Sequence, residues 1–105
     1  MNYFFDTYAL IEILEGNPNY ENFKEYVFIT TTLNLSELYY YLLRQGGVGI
    51  AEKTFKDLNF DFLEITSEIA IKAAKFRHEH KKESLSYIDC MGYSIAISHN
   101  LVFLT

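Results

Sequence analysis

Four short, β-prone apolar runs stand far apart in the chain: Tyr3-Phe4-Phe5, Val27-Phe28-Ile29, Phe62-Leu63-Glu64-Ile65 and Leu101-Val102-Phe103-Leu104. Helical patterns fill the intervals between them. Strands that are almost wholly apolar must be covered on both faces, and strands separated by helices pair in parallel. The alternation therefore predicts an α/β fold with three layers, α/β/α, around a mostly parallel central sheet of at least four strands.

The helical intervals carry their own stops and starts. One helix runs from near Thr7 to Gly16, where Asn17 and Pro18 end it, and a short one follows at roughly Tyr20 to Tyr26. A third places Leu35, Leu38, Tyr39, Leu42 and Leu43 on one face and ends at Gly46-Gly47. A fourth aligns Val48, Ala51, Phe55 and Leu58, and a fifth starts at Thr66-Ser67 with Ile69, Ala73 and Phe76 inward. The last starts at Ser86. With 105 residues and no repeat or linker, residues 1–105 are expected to form a single domain. An α/β sheet ordinarily continues past a strand such as Leu101–Leu104, so a C-terminal helix and an edge strand are expected to be missing from this chain.

Charge and cysteine usage narrow the function classes. The net charge of -5 lies in residues 1–52, which hold seven acids against Lys24 and Arg44, while residues 53–105 balance seven against seven. Such a chain is a poor general binder of phosphate backbones, so a role on nucleic acid has to rest on a local site. Cys90 is the only cysteine, which excludes an internal disulfide and a four-thiolate zinc site. The first ten residues contain no Lys or Arg and meet Asp6 early, and no run approaches the roughly 18 apolar residues of a membrane span. The expected compartment is the cytoplasm, with no membrane partner.

Three acids occupy equivalent places. Asp6 closes the first strand at the turn into a helix, and Glu37 and Asp89 lie in the opening turns of later helices. Each has a capping role open to it: Asp6 as an N-cap, Glu37 as the far end of a capping box begun by Asn34, Asp89 in the same relation to Ser86. In a parallel sheet, however, these turns share one edge, the edge where ligands of open α/β sheets bind. Carboxylates that converge repel one another unless a cation holds them, and a hard divalent ion with oxygen ligands and several waters does so. Such an ion supports phosphoryl-transfer chemistry without a protein nucleophile. Gly92 and Ala96, one and two turns beyond Asp89, leave room for either a close ligand or close helix packing.

The segments Tyr3-Phe4-Phe5-Asp6-Thr7, Asn34-Leu35-Ser36-Glu37-Leu38, Ser86-Tyr87-Ile88-Asp89 and Leu101-Val102-Phe103-Leu104-Thr105 together resemble, in order and over essentially the whole chain, a PIN domain. The resemblance is to the toxin of VapBC-type toxin-antitoxin pairs in particular. It implies a Mg2+- or Mn2+-dependent endoribonuclease that cleaves single-stranded RNA and is inhibited by an antitoxin protein, with Asp6, Glu37 and Asp89 as catalytic and metal-holding residues. Thr7 becomes a polar neighbour of the first acid. Thr105 matches the threonine that precedes a fourth acid in the family, and that acid is absent here. The alternative is a catalytically degenerate PIN-like module that works through protein contacts.

Five of the nine basic residues, Lys72, Lys75, Arg77, Lys81 and Lys82, cluster with His78 and His80. This is either a solvated face or, for Lys72, Lys75 and Arg77 together with Arg44, a contact with RNA phosphate. The two histidines are two apart and lack the spacing of a helical metal pair. His99 complements a helix end and Cys90 is an inert buried thiol. Gly46-Gly47-Val48-Gly49 follows a helix and lacks the lysine of a phosphate loop. Tyr39, Tyr40 and Tyr41, with Tyr8, Ile11 and Ile13, are candidates for a homodimer or antitoxin surface.

Overall fold

The computed structural model describes residues 2–105. Strand β1 (Tyr3–Phe5) leads into helix α1 (Thr7–Leu14), a 3-10 turn (Pro18–Phe23) and β2 (Phe28–Thr30). The long α2 (Thr32–Lys56), β3 (Phe60–Phe62) and α3 (Ser67–Glu79) follow. A second 3-10 turn (Lys81–Glu83) precedes α4 (Tyr87–Ser98) and β4 (Val102–Leu104). The strands pair in parallel, β1 with β4 and β2 with β3, in the registers Phe4 to Phe103 and Ile29 to Asp61. The two pairs lie side by side through β1 and β2, where the Thr30 hydroxyl donates to the Phe5 carbonyl at 2.7 Å.

Two adjacent residues explain the layering. Side chains of a strand alternate between faces, so Phe4 and Phe5 point to opposite sides. Phe5 joins Leu10, Phe28, Leu38 and Leu42 under α1 and α2, whereas Phe4 joins Ile69, Ile95 and Ala96 under α3 and α4. Both rings are fully buried, a gain of about 1.5–3 kcal/mol each, and they commit the sheet to helices on both faces. The expected three-layer α/β/α arrangement with four parallel strands is present, built from two small parallel pairs.

Several boundaries differ from expectation, for local reasons. The third run forms its strand earlier, at Phe60–Phe62, where Phe60 packs at a tilt against Phe28 and stacks on Phe55. The helix expected over Tyr20–Tyr26 is the 3-10 turn Pro18–Phe23, capped by Asn17 with Pro at its start. The two expected helices follow each other within α2, and Gly47, at φ 80° and ψ -176°, kinks the chain between them at the Gly46-Gly47 pair. Beyond that break Ala51 is buried while Val48 is exposed, and Leu43 lies at the rim of the leucine stripe. Gly92 is needed for close approach: a Cβ there would come within 2.9 Å of the Phe4 ring and 3.2 Å of Phe103, so α4 lies tight on the sheet. No helix among the described residues is long and apolar enough to cross a membrane.

Candidate functional site

Asp6 caps α1: its Oδ1 accepts from the Thr7 amide at 2.7 Å. Its second oxygen, Oδ2, accepts from the Thr105 hydroxyl at 2.7 Å, across the β1–β4 pair. Asp6 is only 7% exposed, and burial pushes its pKa up, with the nearby Asp89 charge adding to the rise and the bonds from Thr105 and Thr7 opposing it. Beyond its capping bond, this carboxylate is desolvated and lies within reach of the charge of another acid.

Glu37 reaches the same place by a different route. Helix α2 begins one turn earlier than the leucine pattern indicated, capped by Thr31, so Asn34 is not the N-cap and Glu37 is not the end of a capping box. The cap is instead reciprocal between Thr31 and Asn34, with the Thr31 hydroxyl donating to Asn34 Oδ1 at 2.6 Å and the Asn34 amide donating to Thr31 Oγ1 at 3.2 Å. Buried Asn34 then donates from Nδ2 to Thr7 Oγ1 at 3.0 Å, and Thr7 donates to Glu37 Oε1 at 2.7 Å. The chain Asn34–Thr7–Glu37 ties the start of α2 to the start of α1.

Asp89 opens α4, which Ser86 caps by accepting from the Asp89 amide at 3.0 Å. The amide engages the cap, and the carboxylate lines a hollow of about 390 Å3 together with Asp6, Thr7, Glu37, Tyr8 and Tyr40. All three acids thus face one space, together with Thr7. Asp6 and Asp89 also form part of the wall of a second, adjoining hollow of about 380 Å3, whose other walls include Thr105, Phe76, Tyr93 and a fourth acid, Glu83. Among the described residues no three His, Cys, Asp or Glu side chains form a preassembled metal-holding group. The donor set is nonetheless all oxygen, open to solvent on the Glu37 and Asp89 sides, and suited to a hard ion that keeps much of its water.

The basic candidates are more dispersed. Arg44 lies on α2 with its guanidinium 5.8 Å from the Tyr40 ring, and Lys72 pairs with Glu68 at 3.0 Å on α3. Lys75 is exposed on α3. Arg77 is engaged internally: Nε donates to the Leu85 carbonyl at 3.0 Å while the guanidinium rests 4.2 Å from the Tyr87 ring. Tyr8 and Tyr40 are well exposed beside the acids, but Ile11, Ile13, Tyr39 and Tyr41 pack against the core. Cys90 is buried, and burial raises its thiol pKa, as expected of an inert position.

Fold and site define a small three-layer α/β domain with an acidic cleft at the carboxyl ends of its strands. Residues 3–105 match the PIN domain, and the chain belongs to that family. A chain of a toxin-antitoxin complex from Klebsiella pneumoniae shares the fold at a TM-score of 0.81 and 20% identity, over 99% of this chain and 85% of that one. VapC20 from Mycobacterium tuberculosis, a toxin that cleaves the sarcin-ricin loop, does so at a TM-score of 0.74 and 15% identity, over 95% of this chain and 85% of its own. Comparison with curated protein sequences finds no match.

Proposed function

We propose that this protein is a Mg2+- or Mn2+-dependent endoribonuclease that cleaves single-stranded RNA in the cytoplasm and acts as the toxin of a toxin-antitoxin pair. The observation that carries the reading is that Asp6, at the turn from β1 into α1, Glu37, in α2 after β2, and Asp89, in the first turn of α4 after the α3–α4 connection, line one hollow with Asp6 desolvated in its wall. Membership of the PIN domain family and the toxin structures that share the fold support it.

In this reading Asp6 is the fixed oxygen ligand, held from both sides by the Thr7 amide and the Thr105 hydroxyl. Glu37, oriented by Thr7, and Asp89 complete the donor set from the solvent side. A divalent ion held by these residues would supply positive charge for the phosphodiester and a more acidic water as nucleophile. Burial and the neighbouring Asp89 charge raise the pKa of Asp6, and a divalent ion held beside it would favour its ionised form. Exposed Tyr8 and Tyr40 at the mouth of the hollow offer apolar area for an antitoxin or for a second copy of the chain in a homodimer.

The test is cleavage of a single-stranded oligoribonucleotide by the full chain in magnesium or manganese. Asp6→Asn and Asp89→Asn should each lower the rate by roughly two or more orders of magnitude while leaving far-ultraviolet circular dichroism unchanged. Cleavage unaffected by either substitution removes the mechanism. Absence of cleavage, combined with a melting temperature insensitive to both ions, favours the degenerate protein-interaction module.

A further inference from the structure

The hollow of about 380 Å3 beside the acids is not used by the chemistry above, apart from the Asp6, Asp89 and Thr105 it shares. Its walls are of two kinds. Phe76, Tyr93 and Phe103 give it an aromatic lining, with the Tyr93 ring centred 5.0 Å from Phe76 and 5.8 Å from Phe103. Glu83, on the short turn between α3 and α4, places a single carboxylate at its edge. That turn is braced: Arg77 holds the Leu85 carbonyl, His80 stacks on Phe76 with ring centroids 4.2 Å apart, and the Glu83 amide donates to the His80 carbonyl at 2.9 Å.

The volume sits near the lower end of the roughly 300–1,000 Å3 typical of small-molecule sites, a size for one heterocycle rather than a peptide segment. Aromatic rings offer stacking faces to an unpaired base, and single-stranded RNA is recognised in this way. A phosphodiester held at Asp6 and Asp89 through a divalent ion would leave its neighbouring base at the mouth of this second hollow, since the two spaces share those residues. An ionised carboxylate only accepts hydrogen bonds. Among the four bases only guanine presents two adjacent N–H donors, N1–H and N2–H, to match both oxygens of such a group. In an acidic chain of net charge -5, base contacts of this kind also supply affinity that phosphate contacts cannot.

We propose that this hollow is a nucleobase subsite, which seats a guanine flanking the scissile phosphate with Glu83 reading its Watson–Crick edge; the assignment rests on the ribonuclease reading. Phe76 and Tyr93 provide the stacking surface and Glu83 the discrimination. Glutamine at this position would present one acceptor and one donor, which suits the N6–H and N1 of adenine and leaves a guanine donor facing another donor.

The experiment compares kcat/KM for short single-stranded oligoribonucleotides that differ only by guanine or adenine at one position, with the wild-type chain and Glu83→Gln. Wild type should prefer guanine by roughly tenfold or more, and Glu83→Gln should shift the preference to adenine. Glu83 is exposed, so the substitution leaves folding intact, checked by an unchanged melting temperature. In parallel, guanosine, which carries no phosphate for the acids to repel, should perturb the Tyr93 and Phe76 ring resonances in metal-free buffer. Cleavage indifferent to base identity in both proteins overturns the subsite and leaves the nuclease intact, as do unmoved ring signals. Shifted rings without cleavage of any oligonucleotide support the subsite while removing the nuclease.

Discussion

Replacing Thr7 with valine isolates the contact that joins α1 to α2 at the site. Valine keeps the shape of threonine but cannot accept from Asn34 Nδ2 or donate to Glu37 Oε1. The two losses are unequal. Glu37 is exposed and recovers its hydrogen bond from water, so that half costs little. Asn34 is 1% exposed, and its amide nitrogen is left as a buried donor without a partner, which costs about 1–3 kcal/mol. Taking about 2 kcal/mol, and about 4–8 °C per kcal/mol for a domain of this size, Thr7→Val should melt about 8–16 °C below wild type. Thr7→Ser restores the hydroxyl and should recover most of the loss. Because the cost is an orphaned donor and not a missing attraction, Asn34→Val in the Thr7→Val background should add much less than Asn34→Val adds to wild type. Thermal unfolding followed by circular dichroism, with the four proteins of the cycle, measures all of this. A Thr7→Val protein that melts with wild type, or strictly additive effects of the two substitutions, would refute the hydrogen-bonded link between Asn34 and Thr7. Cleavage assayed well below either melting temperature should also fall, since Glu37 loses the group that orients it.

Asp6→Asn should change the pH dependence of stability in chelator. Asn is as good an N-cap as Asp, and the Thr105 hydroxyl can accept as well as donate, so local contacts survive. The folded-state pKa of Asp6 is raised above its ordinary 3.8, so the folded wild type binds more protons than the unfolded chain between those values and loses stability as pH rises through them. The variant should therefore gain on wild type from about pH 3.8 upward and hold a constant advantage above the raised pKa; urea unfolding at a series of pH values with parallel curves would contradict this. Gly92→Ala tests the tight seat of α4: the added methyl would sit 2.9 Å from the Phe4 ring, so overpacking of about 1–3 kcal/mol should outweigh the roughly 1 kcal/mol gained in helix propensity, and a variant more stable than wild type would show that α4 has room to move.

The layered fold was legible because its determinants are local. Phe4 and Phe5 advertise a doubly buried strand, Gly16 and Gly47 take the positive φ that ends a helical run, and Thr66 and Ser86 cap where they were expected. Boundaries failed where tertiary contacts compete with pattern, as at Phe60, which aromatic stacking draws into the strand ahead of Leu63 and Ile65. The apolar stripe of α2 begins at Leu35, but the helix itself begins at Thr32, because its first turn is stabilised by Thr31 and Asn34 and not by hydrophobic burial.

That one-turn displacement bears on how acids are read from a sequence. Asn34 looked like a cap and Glu37 like its capping-box partner, a role that would have explained the glutamate without any site. With Thr31 as the true cap, that explanation is gone, and Glu37 is drawn instead to a threonine thirty residues away in sequence. Asp6 and Asp89 remain compatible with capping in sequence terms, since both stand at helix starts, and only burial separates the two roles: Asp6 has a raised pKa in an apolar wall beside a second carboxylate. Glu83 escaped notice for the converse reason. It lies in a stretch dominated by lysine and histidine, with no periodicity to relate it to Tyr93 or Phe103, and the short turn after α3 alone places it at the aromatic hollow. Hydrophobic periodicity reports which face is covered; which polar groups meet depends on where connections turn, and in this chain the connections carry the chemistry.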